Sequence, residues 1–461
     1  MHKNNPLTFV SAAVAALLLA GCANLAPAHQ RPAAPVAQSW PAPAAATGQA
    51  AAELAWPQFY AGDARLAELI KLALQNNRDL RVALLNVEQA RALARVADAS
   101  RLPTVGVGLS GSRQPTADGG STRNYQAGLQ ITAFELDLFG KIKNQSDAAM
   151  ARYLATVEGG RAAQIALVSG VASSYLALQA DEELLALARQ TLATREDSLR
   201  LTRLRYDVGA ASALDLSSAE SAAAAARATV AQTQRQRDQD QNALVLLLGQ
   251  PLPVALPQGQ ALAALQLADV PAGLPSEVLV TRPDVLQAEQ QLIAASANIG
   301  AARAAFFPSI TLTTSLGTAS SQLSELFSNT AWTFTSQALM PLFDAGRNRA
   351  NLEAAKAAQG IAVAQYEKAV QTAFREVADA LAGRATLDEQ LQAQQAQAEA
   401  EGQRLKLVAL RYANGASSNL ELLDAQRASF AAQQAVLQVR LAKLLNGVQL
   451  YKVLGGGVSQ S

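Results

Sequence analysis

Cysteine is almost missing from this chain: Cys22 is the only one in 461 residues, so no intrachain disulfide can staple the fold. Histidine is nearly as scarce. His2 stands at the start and His29 in a Pro- and Ala-rich stretch, which leaves no histidine metal site and no imidazole for general acid-base work. No Gly-x-x-x-x-Gly-Lys loop is present to cradle a phosphate. Charge of either sign is not in excess, since 38 basic and 37 acidic residues give a formal net charge of +1, and a nucleic-acid partner is excluded on that balance. Enzymatic chemistry is therefore disfavoured, and neither a cofactor nor a metal is expected. Proline is absent from Thr116 to Gln250 and from Leu342 to the end, where Ala, Leu, Gln, Arg and Glu dominate; both stretches are expected to be long helices.

The apolar run Leu7–Leu19, preceded by Lys3, is too short to span a bilayer and reads as a signal peptide over residues 1–21. It closes on Leu19-Ala20-Gly21-Cys22, a bacterial lipobox in which Cys22 would receive acyl chains. Several chains hold a protein firmly on a membrane where one holds it marginally. Ala23 after the cysteine fits export to the outer membrane. Residues 22–62, carrying Pro27, Pro32, Pro35, Pro41 and Pro43, form a lipidated strap expected to run along a surface.

The rest of the chain is duplicated. Arg205-Tyr206-x-x-Gly209-Ala210-x-Ser212-x-Leu214-Asp215-Leu216 returns as Arg411-Tyr412-x-x-Gly415-Ala416-x-Ser418-x-Leu420-Glu421-Leu422, an offset of 206 that holds to Leu248-Gly249 and Leu454-Gly455. The repeats span 63–250 and 276–454, joined by a linker at 251–275 and followed by a tail at 455–461. Each offers one helix, two strands and a long helical hairpin. The strands are read from alternation at Val105, Val107, Leu109 and Tyr125, Ala127, Leu129, Ile131, and again at Ile310, Leu312, Leu316 and Trp332, Phe334, Ala338, Met340. Gly111 to Asn124 and Gly317 to Thr330 are read as polar connecting segments, and a phase slip near Ala133-Phe134 as a bulge.

Four strands cannot close a membrane barrel, for which about eight are the minimum. Three chains would pool twelve and leave an aqueous lumen. The fold class expected is mostly α with a membrane β part: a long α-helical barrel plus four strands per chain, closing a 12-stranded β-barrel as a trimer. The segment from Gly140 to Tyr206 would be about 100 Å long if continuously helical, and Gly346 to Tyr412 repeats it.

Gly209 and Gly415 fit the left-handed residue that stops a helix, and Ser212-x-x-Asp215 and Ser418-x-x-Glu421 resemble capping boxes that start the next one. Capping alone explains these residues; an exposed tip is also where a partner would dock. Asp424 and Arg427 are different, because the corresponding positions of the first repeat hold Ser218 and Ser221. They form either a solvated i,i+3 ion pair, worth about 0.2–0.5 kcal/mol, or part of a functional feature unique to the second hairpin.

Four stretches, with the twin tips, carry a resemblance that covers nearly the whole mature chain. They are Glu135-Leu136-Asp137-Leu138-Phe139-Gly140, Arg282-Pro283-Asp284-Val285, Asn298 through Ile310, and Pro341-Leu342-Phe343-Asp344-Ala345-Gly346-Arg347. On them the chain resembles the TolC-like outer-membrane factor family, OprM/NodT-type efflux lipoproteins. The resemblance implies a homotrimer in outer-membrane lipid, a belt formed by Gln250 to Pro275 and the chain end, and passive service as the exit duct of a tripartite multidrug pump. The partners implied are a periplasmic membrane-fusion adaptor and an inner-membrane proton-driven transporter of the RND type. It implies a periplasmic gate at Leu420 and Asp424 with Tyr412 and Arg427 as latch partners. The adaptor would meet tip residues Asp207, Val208, Gly209, Ala210, Asn414, Gly415 and Ala416. A protein-secretion duct and a non-conducting envelope scaffold are the competing readings.

Overall fold

The alternation in the strands fixes which side chains share a face, and the register of the sheet turns that into two surfaces. In the computed structural model, which describes residues 24–41, 51, 53–273 and 275–457, four antiparallel strands pair in chain order: β1 (Val105–Pro115), β2 (Ser121–Leu136), β3 (Ser309–Ser320) and β4 (Thr330–Leu339). Val107, Leu129, Leu316 and Trp332 stand in one row across all four. The next row on the opposite face holds Gly108, Gly128, Gly317 and Ala331. One face is thus apolar and exposed, with Val107 at 83% and Trp332 at 73%, and the other is small and polar. Gly128 and Gly317 face each other where β2 meets β3: a Cβ on either would stand 2.4 or 2.0 Å from a carbonyl oxygen of the neighbouring strand. Among the described residues, the outer edges of β1 and β4 have no strand partner.

The strands outrun the alternation from which they were read. β1 continues to Pro115 and β2 begins at Ser121, so the connection is 116–120 rather than Gly111 to Asn124; β3 likewise runs to Ser320. Ladder hydrogen bonds need only backbone, so polar residues beyond the apolar band stay paired. The second connection holds a short 3₁₀ turn, Leu323–Glu325. The register shifts between Ile131 and Phe134, with Ala133 at φ 52°, at the place of the phase slip. Gly106-Val107-Gly108-Leu109-Ser110-Gly111 has the glycine spacing of a dinucleotide fingerprint, but it lies wholly within β1 and opens no helix.

The helices are α1 (Trp56–Phe59), α2 (Ala64–Asn76), α3 (Arg78–Ala99), α4 (Lys141–Asp207), α5 (Ala213–Leu248), α6 (Pro275–Thr281), α7 (Pro283–Ala304), α8 (Arg347–Ala413) and α9 (Asn419–Val453). The two long helices, α4 and α8, are each an unbroken 67 residues. The signal segment 1–21 and Cys22 lie outside the described residues.

The chain divides into two compact units that cut across the duplication. One combines Leu85–Glu158 and Leu286–Ala369 with the strap up to Ala34; the other combines Pro35–Leu84, Gly159–Val285 and Val370–Ser461. Each draws matching segments from both repeats, because the repeats lie side by side rather than end to end.

In the strand-bearing unit, α4 and α7 meet through Ala148, Ala151, Ala294 and Ala297, whose small side chains allow close approach. The strap is anchored there. Arg31 gives Glu289 two hydrogen bonds of 2.7 Å, His29 adds a third contact at 3.4 Å, and Arg303 donates to the Leu25 carbonyl at 2.8 Å. Burial pushes the Glu289 carboxyl up, but the bonds and charges of Arg31 and His29 together hold it below the usual range.

The second unit holds the main apolar core. Leu66, Leu69 and Ile70 of α2, Val168, Val171 and Leu176 of α4, Leu244 and Leu248 of α5, and Val448 of α9 are buried together, each such side chain contributing about 1.5–3 kcal/mol. Phe59 stacks on Tyr451 at 3.9 Å. Buried Asp63 caps α2, accepting from the Arg65 and Leu66 amides, and its second oxygen accepts the Tyr175 hydroxyl at 2.8 Å. Arg282, also buried, donates to Asp284, to Glu376 of α8 at 2.8 Å and to the Val453 carbonyl at 2.9 Å. It thereby ties the start of α7 to α8 and to the last turn of α9. The linker at 251–275 has neither strand nor helix before Pro275 among the described residues, but Leu262, Leu265 and Val270 join this core.

Two outcomes are expected. Arg31→Ala leaves the buried Glu289 charge without its main partner, costing about 1–3 kcal/mol; amides of residues 24–34 should exchange with solvent at least tenfold faster, read by hydrogen-exchange mass spectrometry. On the first hairpin, burial and the neighbouring Asp240 carboxyl push Asp181 up to about 7. Its folded value lies above its ordinary one, so protection around Asp181 is full below about pH 4 and declines as pH rises through about 7. Asp181→Asn should make exchange there independent of pH between 5 and 8 after correction for intrinsic rates.

Candidate functional site at the hairpin tips

Each long helix ends because its sequence supplies a left-handed glycine. Gly209 has φ 75° and Gly415 φ 73°. At the first tip the Ala210 amide bonds the Arg205 carbonyl at 2.7 Å and the Gly209 amide that of Tyr206 at 2.9 Å. At the second, Ala416 bonds Arg411 at 2.8 Å and Gly415 bonds Tyr412 at 3.1 Å. These are paired Schellman closures, which satisfy carbonyls that the helix leaves bare.

The restarts differ. Ser212 forms a complete capping box: its Oγ accepts the Asp215 amide at 3.1 Å and Asp215 Oδ2 accepts the Ser212 amide at 3.2 Å. Ser418 accepts the Glu421 amide at 3.2 Å, but the Glu421 carboxylate accepts the Ser417 hydroxyl instead, so the second box is only half made. A serine beside the cap competes for that carboxylate, and the Ser417 bond is the first cause of its being held below the usual range.

All seven candidate contact residues, Asp207, Val208, Gly209, Ala210, Asn414, Gly415 and Ala416, are exposed. So are large apolar side chains beside them: Val208 at 78%, Leu214 at 77% and Leu420 at 75%. Three aliphatic side chains this bare, grouped at two turns, mark a surface suited to a partner. Asn419 Nδ2 donates to the Asp215 carbonyl at 3.2 Å, and Gln426 to Ser198 at 3.3 Å, so the two hairpins are joined within one chain.

Of the four candidate gate residues the fold brings two into contact. Arg427 Nη2 donates to Asp424 Oδ1 at 2.7 Å, and Leu420 precedes Asp424 by one turn of α9. Tyr412 is elsewhere: its ring lies under the Arg205 guanidinium, 4.8 Å from centroid to Cζ, and among the described residues it makes no hydrogen bond or ring contact with Arg427. The second oxygen of Asp424 is held by Arg404, which also bonds Glu401 at 3.1 Å. Arg404 first and Arg427 second hold the Asp424 carboxyl below its ordinary value. Arg404 was legible by the comparison that singled out Asp424. One offset of 206 upstream of Arg404 stands Ser198, and of Glu401, Arg195. The whole network Glu401, Arg404, Asp424, Arg427 is therefore private to the second hairpin.

A sheet with one apolar and one polar face, followed in sequence by long capped helical hairpins, defines an outer-membrane protein of the kind that shares a barrel among copies. The family model described as outer membrane efflux protein matches residues 69–250 and 274–456. The chain is 47% identical over 464 residues to the probable efflux pump outer membrane protein TtgC of Pseudomonas putida, covering 98% of this chain and 96% of that one. It is 45% identical to outer membrane protein OprJ of Pseudomonas aeruginosa, with coverage of 98% and 96%. Among solved structures, the open state of the Neisseria gonorrhoeae MtrE outer membrane channel superposes with a TM-score of 0.87 at 39% identity, over 94% of this chain and 98% of that one. The chain belongs to the outer membrane efflux protein family, and it is an outer-membrane protein.

Because Gly209 and Gly415 have open space around them, only backbone conformation penalises a side chain there. Gly415→Val should cost about 1–3 kcal/mol of local strain and speed exchange of the last turn of α8, while leaving the sheet amides unchanged.

Proposed function

We propose that three copies of this chain form the outer-membrane exit channel of a tripartite multidrug efflux pump. The observation that carries this reading is the sheet: four strands with an exposed apolar face and two unpaired edges. Such edges are costly in lipid unless the β1 edge of one copy joins the β4 edge of the next, and the resulting twelve strands enclose an aqueous lumen. The duct is passive. Energy comes from an inner-membrane proton-driven RND-type transporter, reached through a periplasmic adaptor that meets Asp207 to Ala210 and Asn414 to Ala416. Acyl chains on Cys22 would add a lipid anchor.

The resting constriction is assigned to Leu420 and Asp424. Three symmetric copies of Leu420 would narrow the opening, and Asp424 would hold the closed arrangement through its arginine partners. Arg427 and Arg404, each bonded to Asp424, act as the catch; Tyr412 contributes by holding Arg205.

The Asp424→Ala, Arg427→Ala double variant is expected to raise single-channel conductance several-fold in planar bilayers; conductance equal to wild type would remove the gate assignment. Deleting the gene should raise intracellular drug accumulation and leave protein secretion intact. The opposite pattern would identify a secretion duct, and absence of conductance a scaffold.

A further inference from the structure

Duplication left one charge on the first hairpin without a counterpart. Glu401, Arg404, Asp424 and Arg427 satisfy one another on the second hairpin, whereas the position matching Glu401 holds Arg195. Arg195 is 8% exposed, and its hydrogen bond to protein is a long one, 3.5 Å from Nη1 to the Leu423 carbonyl. Among the described residues no carboxylate lies within 4.0 Å of it. Burial and the like charge of Arg427 disfavour its charged form, but a guanidinium does not give up its proton in a protein. A desolvated cation without an anion is costly, so this one is poised to pair.

Arg195 borders a groove of about 610 Å³ between α4, α5 and α9, within the range of small-molecule sites. Leu420, Leu423 and Phe430 give the groove an apolar wall, and Ser217, Ser221 and Thr229 place hydroxyls along α5. Asp424 also lines it, but both its oxygens are already taken by arginines. Counting Arg195, Arg404 and Arg427 against Glu401 and Asp424, the cluster carries one positive charge in excess.

We propose that this groove binds organic carboxylates with an apolar or aromatic body, the carboxylate pairing with Arg195 and the body lying against Leu420, Leu423 and Phe430. A bare inorganic anion would leave the apolar wall uncovered, and an organic cation would meet Arg195 and Arg427. The site depends on the groove and not on the gate assignment, so either stands without the other.

The test uses the full-length protein in lipid nanodiscs, titrated with 2-naphthoate and with neutral 2-naphthamide, which has the same ring system, by saturation-transfer NMR. Naphthoate is expected to bind at least about tenfold more tightly, the worth of one charge-assisted pair. Arg195→Gln should erase that preference, and Phe430→Ala should weaken both compounds alike. Equal affinity of acid and amide for wild type overturns the proposal, as does an acid preference that survives Arg195→Gln. Failure of both to bind, as when a neighbouring copy fills the groove, overturns it too. If Arg195→Gln does not fold, the wild-type comparison decides, together with Arg195→Lys, which must retain a preference for the acid.

Discussion

Hydrocarbon offers a strand edge no hydrogen-bonding partner, and each bare amide or carbonyl there costs several kcal/mol. The sheet of this protein ends in two such edges, on β1 and β4, while Val107, Leu129, Leu316 and Trp332 make one of its faces suited to lipid. The combination is stable only when the β1 edge of one copy meets the β4 edge of another, so the membrane part is incomplete in a single chain. Gly128 and Gly317 show how tightly the seam between the two repeats is drawn. No side chain fits at either, so the two halves of the duplication are locked in register at the one place where their strands touch.

The long helices meet a different requirement. A 67-residue helix has few polar groups to satisfy along its length, and its risk lies at the ends. The ends are therefore where the polar chemistry is concentrated. Gly209 and Gly415 close α4 and α8, Ser212 and Ser418 open their partners, and buried Arg282 bonds Asp284, Glu376 and the Val453 carbonyl of α9. The strap is held both ways, by the Arg31–Glu289 pair near its start and by Trp40 on Phe374 and Phe59 on Tyr451 further along. Polar anchors at helix ends leave the helix sides free to pack through alanine.

Between its halves the duplication is faithful in backbone and unfaithful in charge. The tips superpose motif on motif, yet the second hairpin has an internally neutralised set of four charges where the first has Arg195, Ser198, Ser218 and Ser221. That asymmetry supports the placing of a gate and of an anion site on the same three helices.

Composition, the 206-residue offset and period-two alternation were enough to place the four strands, the two long helices, the first capping box and the bulge near Ala133, because each follows from local backbone chemistry or simple counting; the single helix expected ahead of each strand pair is two, α2 with α3 and α6 with α7. The strand ends were not legible, since Gly111–Pro115 and Ser121–Asn124 pair through backbone groups that leave no apolar trace. Nor was the placement of Tyr412 over Arg205 rather than near Arg427, or the capture of Glu421 by Ser417. The first depends on which side chains converge from helices far apart in sequence; the second is a local competition of neighbouring hydroxyl and amide groups for one carboxylate. Arg404 and Arg195 make the boundary clear: their departure from the repeat is written in the chain, but that one is paired with Asp424 and the other buried without an acid was decided by how α4, α8 and α9 pack, through contacts spanning up to 228 residues.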